Sequence, residues 1–286
     1  MSSNSINGFW SNYIAKTDES KLKTLPFFHN TEMSSFEKVE SNQWVLNSNI
    51  DDRFHQGKKI FFFYGNPVYF KEGWDRPIVM GVSFKNLKQK ESLCPTDTGL
   101  VMNLVENKKL NFSKKGRDYF YDNLVESVKQ EELIPTINKY LENWFGTVDN
   151  YCSGFLMKDP AYEPKDCHYE HLDFVTHSPD KLFKKEFLKK NNLDFDKRRR
   201  SVELAIGGNV NLLVCQISFI GIPNNIRDKT MKERISFELN IEDPERIYEY
   251  DLNDEYGCPI SLKDIMADCI KSYHKIYDIK SKIPKL

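Results

Sequence analysis

Three separated residues have the types and the chain order that bond-breaking on a dinucleotide requires. His29 lies in Phe27-Phe28-His29-Asn30-Thr31, Tyr64 closes the apolar run Ile60-Phe61-Phe62-Phe63-Tyr64, and Glu203 sits in Ser201-Val202-Glu203-Leu204. Detaching nicotinamide from its ribose builds an oxocarbenium-like cation. A carboxylate beside that ribose stabilises the charge as it develops and orients the ribose hydroxyl. An aromatic face holds the planar nicotinamide by stacking, and a histidine on a first strand can hydrogen-bond the other ribose. The chemistry needs no metal. Each residue also has an ordinary explanation: His29 as a capping or core histidine, Tyr64 as a core aromatic, and Glu203 as the solvent-facing member of a half-exposed strand.

Three further clusters compete for attention. Cys167-His168-Tyr169-Glu170-His171, with Cys152, Asp166, Asp173 and His177 nearby, has zinc-ligating residue types. Its spacing fits no standard finger, so a polar surface loop is the favoured reading and no metal is expected. Its acids beside a basic run would also suit a metal-dependent nuclease, a reading ranked last for want of a motif. The run from Lys181 to Arg200, ending in Lys197-Arg198-Arg199-Arg200, could hold the phosphates of a nucleic acid; a solvated basic helix is the plainer alternative. Cys94-Pro95-Thr96-Asp97-Thr98-Gly99 offers an acid and a hydroxyl donor in a turn-rich loop that could border the same pocket.

The elements that must position these residues are legible in outline. Residues 1–25 read as an arm anchored by Trp10 and Tyr13. A short strand begins at Phe27-Phe28, and Ser34 with Glu37 has capping-box spacing for a helix. Trp44-Val45-Leu46 is extended, residues 47–59 form a polar loop, and Ile60 to Tyr64 is a buried strand broken by Gly65-Asn66-Pro67. Ile78 to Phe84 is another strand. Residues 117–145 carry helical periodicity, with Pro135 starting a second helix. Ser201 to Ile206 reads as a strand, Gly207-Gly208-Asn209 as a hairpin signal, and Leu212 to Ile222 as a further strand. A last helix covers Ser261 to Tyr277, with Ile265, Met266, Cys269, Ile270 and Tyr273 on one face. Strands, a helical insert and strands again predict an α+β fold. No glycine-rich phosphate loop follows any strand.

Composition adds bounds. The chain has 286 residues, 41 basic and 42 acidic, for a net charge of −1. That balance gives no global attraction to nucleic acid or membrane. No apolar stretch reaches the roughly 20 residues that span a bilayer. The polar N-terminus lacks the regions of a signal peptide, and the six dispersed cysteines read as reduced thiols. A cytoplasmic protein without membrane partners is expected.

On Phe28-His29-Asn30-Thr31, Phe62-Phe63-Tyr64-Gly65-Asn66-Pro67-Val68-Tyr69 and Ser201-Val202-Glu203-Leu204, the chain resembles the ADP-ribosyltransferase-like superfamily. The likeness is to its histidine–tyrosine–glutamate branch and the DNA-modifying toxin group within it. The resemblance implies a split antiparallel β-sheet core over residues 26–223, with a helical insert at about 113–145. Residues 224–286 would be a C-terminal extension, carrying the last helix, packed on the same domain. It implies NAD as co-substrate and Glu203 as the catalytic residue. His29 and Thr31 would bind the adenosine side and Tyr64 the nicotinamide, with Asn66 and Tyr69 completing the cofactor-binding set. A toxin or defence effector acting on nucleic acid or protein follows, with Lys197, Arg198, Arg199 and Arg200 as the nucleic-acid contacts. The toxin group usually carries an arginine in or near the second motif, where Asn66 and Phe70 stand here. That departure motivates the alternative of a nucleotide- or partner-binding protein that turns nothing over.

Overall fold

In the computed structural model the described residues are 10, 13, 21–48, 50–52, 57–67, 74, 76–85, 91–99, 125–157, 201–224 and 230–280. The elements run β1 (Phe27–Glu32), α1 (Met33–Ser41), β2 (Val45–Leu46), β3 (Ile50–Asp52), β4 (Gly57–Tyr64), β5 (Pro77–Ser83) and β6 (Glu91–Cys94). There follow α2 (Gln130–Trp144), α3 (Val148–Ser153), β7 (Glu203–Gly207), β8 (Val210–Asn211), β9 (Gln216–Pro223), α4 (Met231–Glu238), β10 (Ile247–Tyr250) and α5 (Leu262–Ile276). The fold is mixed α/β around a mostly antiparallel sheet in the order β10-β9-β5-β1-β4-β7-β6, with β3 on β4. Only the β10–β9 pair among these is parallel. No described helix is long and apolar enough to cross a membrane.

The β1–β4 seam is short. β1 pairs with β5 over six residues and β4 with β7 over five, but β1 and β4 register only Phe27 with Tyr64 and Phe28 with Phe63. That is the shortest pairing along the path, and the eight strands remain one sheet.

Paired residues of antiparallel strands share a face, and successive residues alternate. One row runs Phe219, Gly81, Phe28, Phe63, Glu203, Cys94 across six strands. The opposite face carries Phe27, His29, Phe62, Tyr64 and Leu204. Helix α5 covers the Phe28 face: Tyr273 meets Phe28 edge-on at 4.7 Å and Phe219 at 5.9 Å. Each such aromatic pair adds about 0.5–1.5 kcal/mol beyond its area. Gly81 leaves the room these rings need, since a Cβ there would stand 3.1 Å from the Phe28 ring.

Several sequence expectations shift. The last helix stands where expected, as α5, and Ser261 caps it by accepting from the Asp264 amide at 3.2 Å. Helix α1 instead starts at Met33 after Glu32, and Ser34 lies inside it. Trp44 is not extended; its φ of 61° ends a left-handed turn. The polar stretch 47–59 contains β3 and the start of β4, because β3 can pair along an edge that needs no apolar side chains. Pro135 lies within α2, five residues past its start, rather than opening a helix. Gly207-Gly208-Asn209 makes no hairpin: β8 leaves the main sheet to pair with β2. The arm's anchors are confirmed as buried: Trp10 and Tyr13 are 0% and 1% exposed, and Trp144 Nε1 donates to the Tyr13 hydroxyl at 2.6 Å. Residues 224–286 contribute β10 to the same sheet and α5 to its face.

Candidate active site

Glu203 begins β7, and it is the carboxylate in an otherwise apolar row of rings, a glycine and a thiol. The half-exposed placement expected from its alternation with Val202 and Leu204 does not hold, because its side chain is 2% exposed. The cause is the loop after β6. Residues 94–98 are all buried, and they turn back so that Thr98 Oγ1 donates to Glu203 Oε1 at 2.6 Å. The Thr98 amide donates to the second oxygen, Oε2, at 3.3 Å. One residue thus addresses both oxygens. Charge-assisted bonds of this kind are roughly twice as strong as neutral ones, and they compensate a desolvation that would otherwise be costly. The 94–99 loop, expected to border the same pocket as the three residues, packs against Glu203 through Thr98.

His29 occupies the seam. It is the first β1 residue beyond the β1–β4 pairs, half-buried, and its ring lies 5.3 Å from that of Phe62. Nδ1 stands 2.9 Å from the Phe61 carbonyl oxygen. A carbonyl can only accept, so Nδ1 carries the proton and Nε2 is left as an acceptor. Burial pushes the imidazole pKa below its ordinary value, and the bond to Phe61 opposes that shift less strongly. The ring is held neutral, with its acceptor nitrogen free of any positive charge. Thr31 follows two residues on, on the same face of β1, and is half-buried.

Tyr64 is a core residue and not a stacking platform. It is 0% exposed, its hydroxyl accepts from the Leu25 amide at 3.0 Å and donates to Asn138 Oδ1 at 3.2 Å, and its ring packs edge-on against Phe27. Burial raises its pKa well above the ordinary phenol value. A nicotinamide ring cannot reach a face that the core already covers, which corrects the expected role. Asn66 is also inside, 3% exposed, with Oδ1 lacking a hydrogen-bond partner among the described residues. Tyr69, Lys197, Arg198, Arg199 and Arg200 lie outside the described residues, as do Cys167, His168 and His171. Cys152 is buried, and its thiol points at the Gly65 carbonyl, 3.8 Å away. The described residues contain no metal-holding group of His, Cys, Asp and Glu.

The three residues therefore do not line one surface. His29 and Tyr64 project to one face and Glu203 to the other. What the fold brings together is Glu203 with Thr98, and Tyr64 with a residue the motifs did not single out. Tyr151 of α3 is 1% exposed, and its hydroxyl accepts from the Val202 amide at 3.1 Å and donates to the Tyr64 carbonyl at 2.8 Å. No spacing rule flags a tyrosine in a six-residue helix. Chemically, the arrangement provides a buried, oriented carboxylate and, at the short β1–β4 seam, a neutral imidazole acceptor. No protein-family model, no curated protein and no solved structure matches the chain.

Proposed function

We propose that the protein consumes NAD, transferring ADP-ribose to an acceptor or to water, with Glu203 as the catalytic carboxylate. The observation that carries this reading is the Glu203 carboxylate itself, buried in an apolar row with both oxygens turned to Thr98. A charge kept in such surroundings has a use, since a hydrophobic residue would pack there at no desolvation cost. A carboxylate fixed in a low-dielectric site is suited to a cation that develops only in the transition state.

His29 supports the same reading. Its Nε2 can accept from a ribose hydroxyl, and it stands one row away from Glu203, on the other face. Thr31 extends the His29 side of the seam. The short β1–β4 pairing and the resemblance to the ADP-ribosyltransferase-like superfamily favour a split-sheet fold of that type. The basic residues 197–200, immediately before β7 in the chain, make a nucleic acid the first acceptor to try and a protein the second. A cytoplasmic toxin or defence effector is the biological setting that follows.

The second reading is a nucleotide- or partner-binding protein on the same fold. Its support is the near-complete burial of Glu203 together with Asn66 in place of an arginine. Incubating the protein with NAD, with and without single-stranded DNA, and following nicotinamide release separates the two. Sustained release that Glu203→Gln abolishes supports the enzyme. Binding of NAD without release supports the second reading.

A further inference from the structure

The geometry points to Tyr151 as the positioning residue of Glu203: its phenol stands inside the β4–β7 ladder as a spacer and sets the bearing of the carboxylate one residue along. This deepens the reading of Glu203 as the reactive carboxylate and rests on it.

Five registered pairs join β4 and β7, ending at Phe63 with Glu203. The next pair would be Tyr64 with Val202, and half of it forms directly: the Tyr64 amide donates to the Val202 carbonyl at 2.9 Å. The reciprocal bond does not form. In its place the Tyr151 hydroxyl accepts from Val202 N at 3.1 Å and donates to Tyr64 O at 2.8 Å. The hydroxyl thus bridges the two groups, where a direct ladder bond would join them at about 2.9 Å. One side of the Val202 peptide is held to β4 through the phenol while the other bonds it directly. This uneven hold acts on the residue that precedes Glu203.

The spacer is rigidly mounted. Thr147 caps α3 by accepting from the Asn150 amide at 3.1 Å, and Gly154 ends the helix with φ 75°. The Tyr151 ring meets Phe145 edge-on at 5.1 Å. Burial raises the phenol's pKa well above its ordinary value, so it keeps its proton and remains a donor to Tyr64 through the neutral range. A wedge that neither moves nor ionises is what a fixed catalytic geometry needs, and an ångström of misplacement can cost about a hundredfold in rate.

The test is Tyr151→Phe, which removes the hydroxyl and keeps the ring. Nicotinamide release from NAD should lose about tenfold to a hundredfold in kcat, with KM within about twofold. In a Glu203→Gln background the same change should cost nothing further, because its effect passes through the carboxylate. An undiminished kcat, or a full additional loss in the Glu203→Gln background, overturns the proposal. If Tyr151→Phe fails to fold, 3-fluorotyrosine at position 151 keeps the packing and weakens the acceptor: a lowered kcat supports the proposal and an unchanged one overturns it. If the wild-type protein releases no nicotinamide, the functional reading fails on its own. The infrared band of the Glu203 carboxylate, assigned by difference against Glu203→Gln, then decides positioning. A shifted band in Tyr151→Phe supports it, and an unmoved band overturns it.

Discussion

The two edges of β4 end their ladders in opposite ways. Toward β1, pairing stops after two residues and an imidazole takes the vacated Phe61 carbonyl. Toward β7, pairing runs for five residues and a phenol takes the vacated Tyr64 carbonyl and Val202 amide. Both solutions obey the same requirement, that a buried backbone group keep a partner when its strand partner leaves. They differ in consequence. The imidazole is half-buried, burial lowers its pKa, and its second nitrogen is left as an acceptor. The phenol is wholly buried and does not titrate in the neutral range. One ladder of β4 therefore ends open, and the other ends in a brace.

The comparison can be broken most directly at the residue beside the brace. Glu203→Gln should lower nicotinamide release about a thousandfold while leaving the fold intact, because the amide oxygen still accepts from Thr98. Wild-type rates in that variant would remove Glu203 from the chemistry. Glu203→Ala should in addition lose about 1–3 kcal/mol in urea unfolding, since it leaves the buried Thr98 hydroxyl short of an acceptor.

The brace itself is probed at Gly65. Its φ is +66°, and a Cβ there would stand 2.4 Å from Leu25 Cδ1 and 3.2 Å from the Tyr151 ring. Gly65→Ala should cost about 2–4 kcal/mol by combining left-handed strain with overpacking. An unchanged urea midpoint would show the junction to be soft. Tyr64→Phe separates a core role from a binding role. It strands the Leu25 amide and should cost about 1–3 kcal/mol with the KM for NAD unchanged; a raised KM at unchanged stability would return Tyr64 to the ligand.

The smallest effect belongs to the open end. The folded-state pKa of His29 lies below the unfolded value of about 6.5. On acidification the unfolded chain takes up the proton first, so stability is full above about pH 6.5 and falls as the pH drops toward the folded pKa. His29→Asn should lose that contribution, giving a thermal midpoint that falls less than wild type between pH 7 and 5.5. Parallel curves for the two proteins would mean that His29 is solvated in the folded protein.

Local signals read well from the sequence. The last helix matched in its extent and its apolar face, since 3.6-residue periodicity depends only on neighbours in the chain. The run Ile60 to Tyr64 is a strand for the same reason. The faces of the strands were less accessible. Glu203 alternates with apolar residues as a solvent-facing residue would, and nothing local distinguishes that from a carboxylate capped by a loop a hundred positions earlier. Tyr64 had the right type and neighbourhood for a ligand platform, but its burial depends on Leu25 and Asn138. Tyr151 carried no signal, because the ladder it enters is made by two strands distant in sequence.

The sequence by itself determined the principal strands and the last helix, that the architecture mixes α and β, and that His29, Tyr64 and Glu203 stand on strands. Those properties follow from side-chain period and backbone preference, which are short-range. Only the tertiary structure decided that Tyr64 belongs to the core, that Thr98 holds Glu203, and that β4 is freed on one side and braced on the other. Those depend on strand register and on which buried backbone groups lose their partners, and both arise only when distant segments meet.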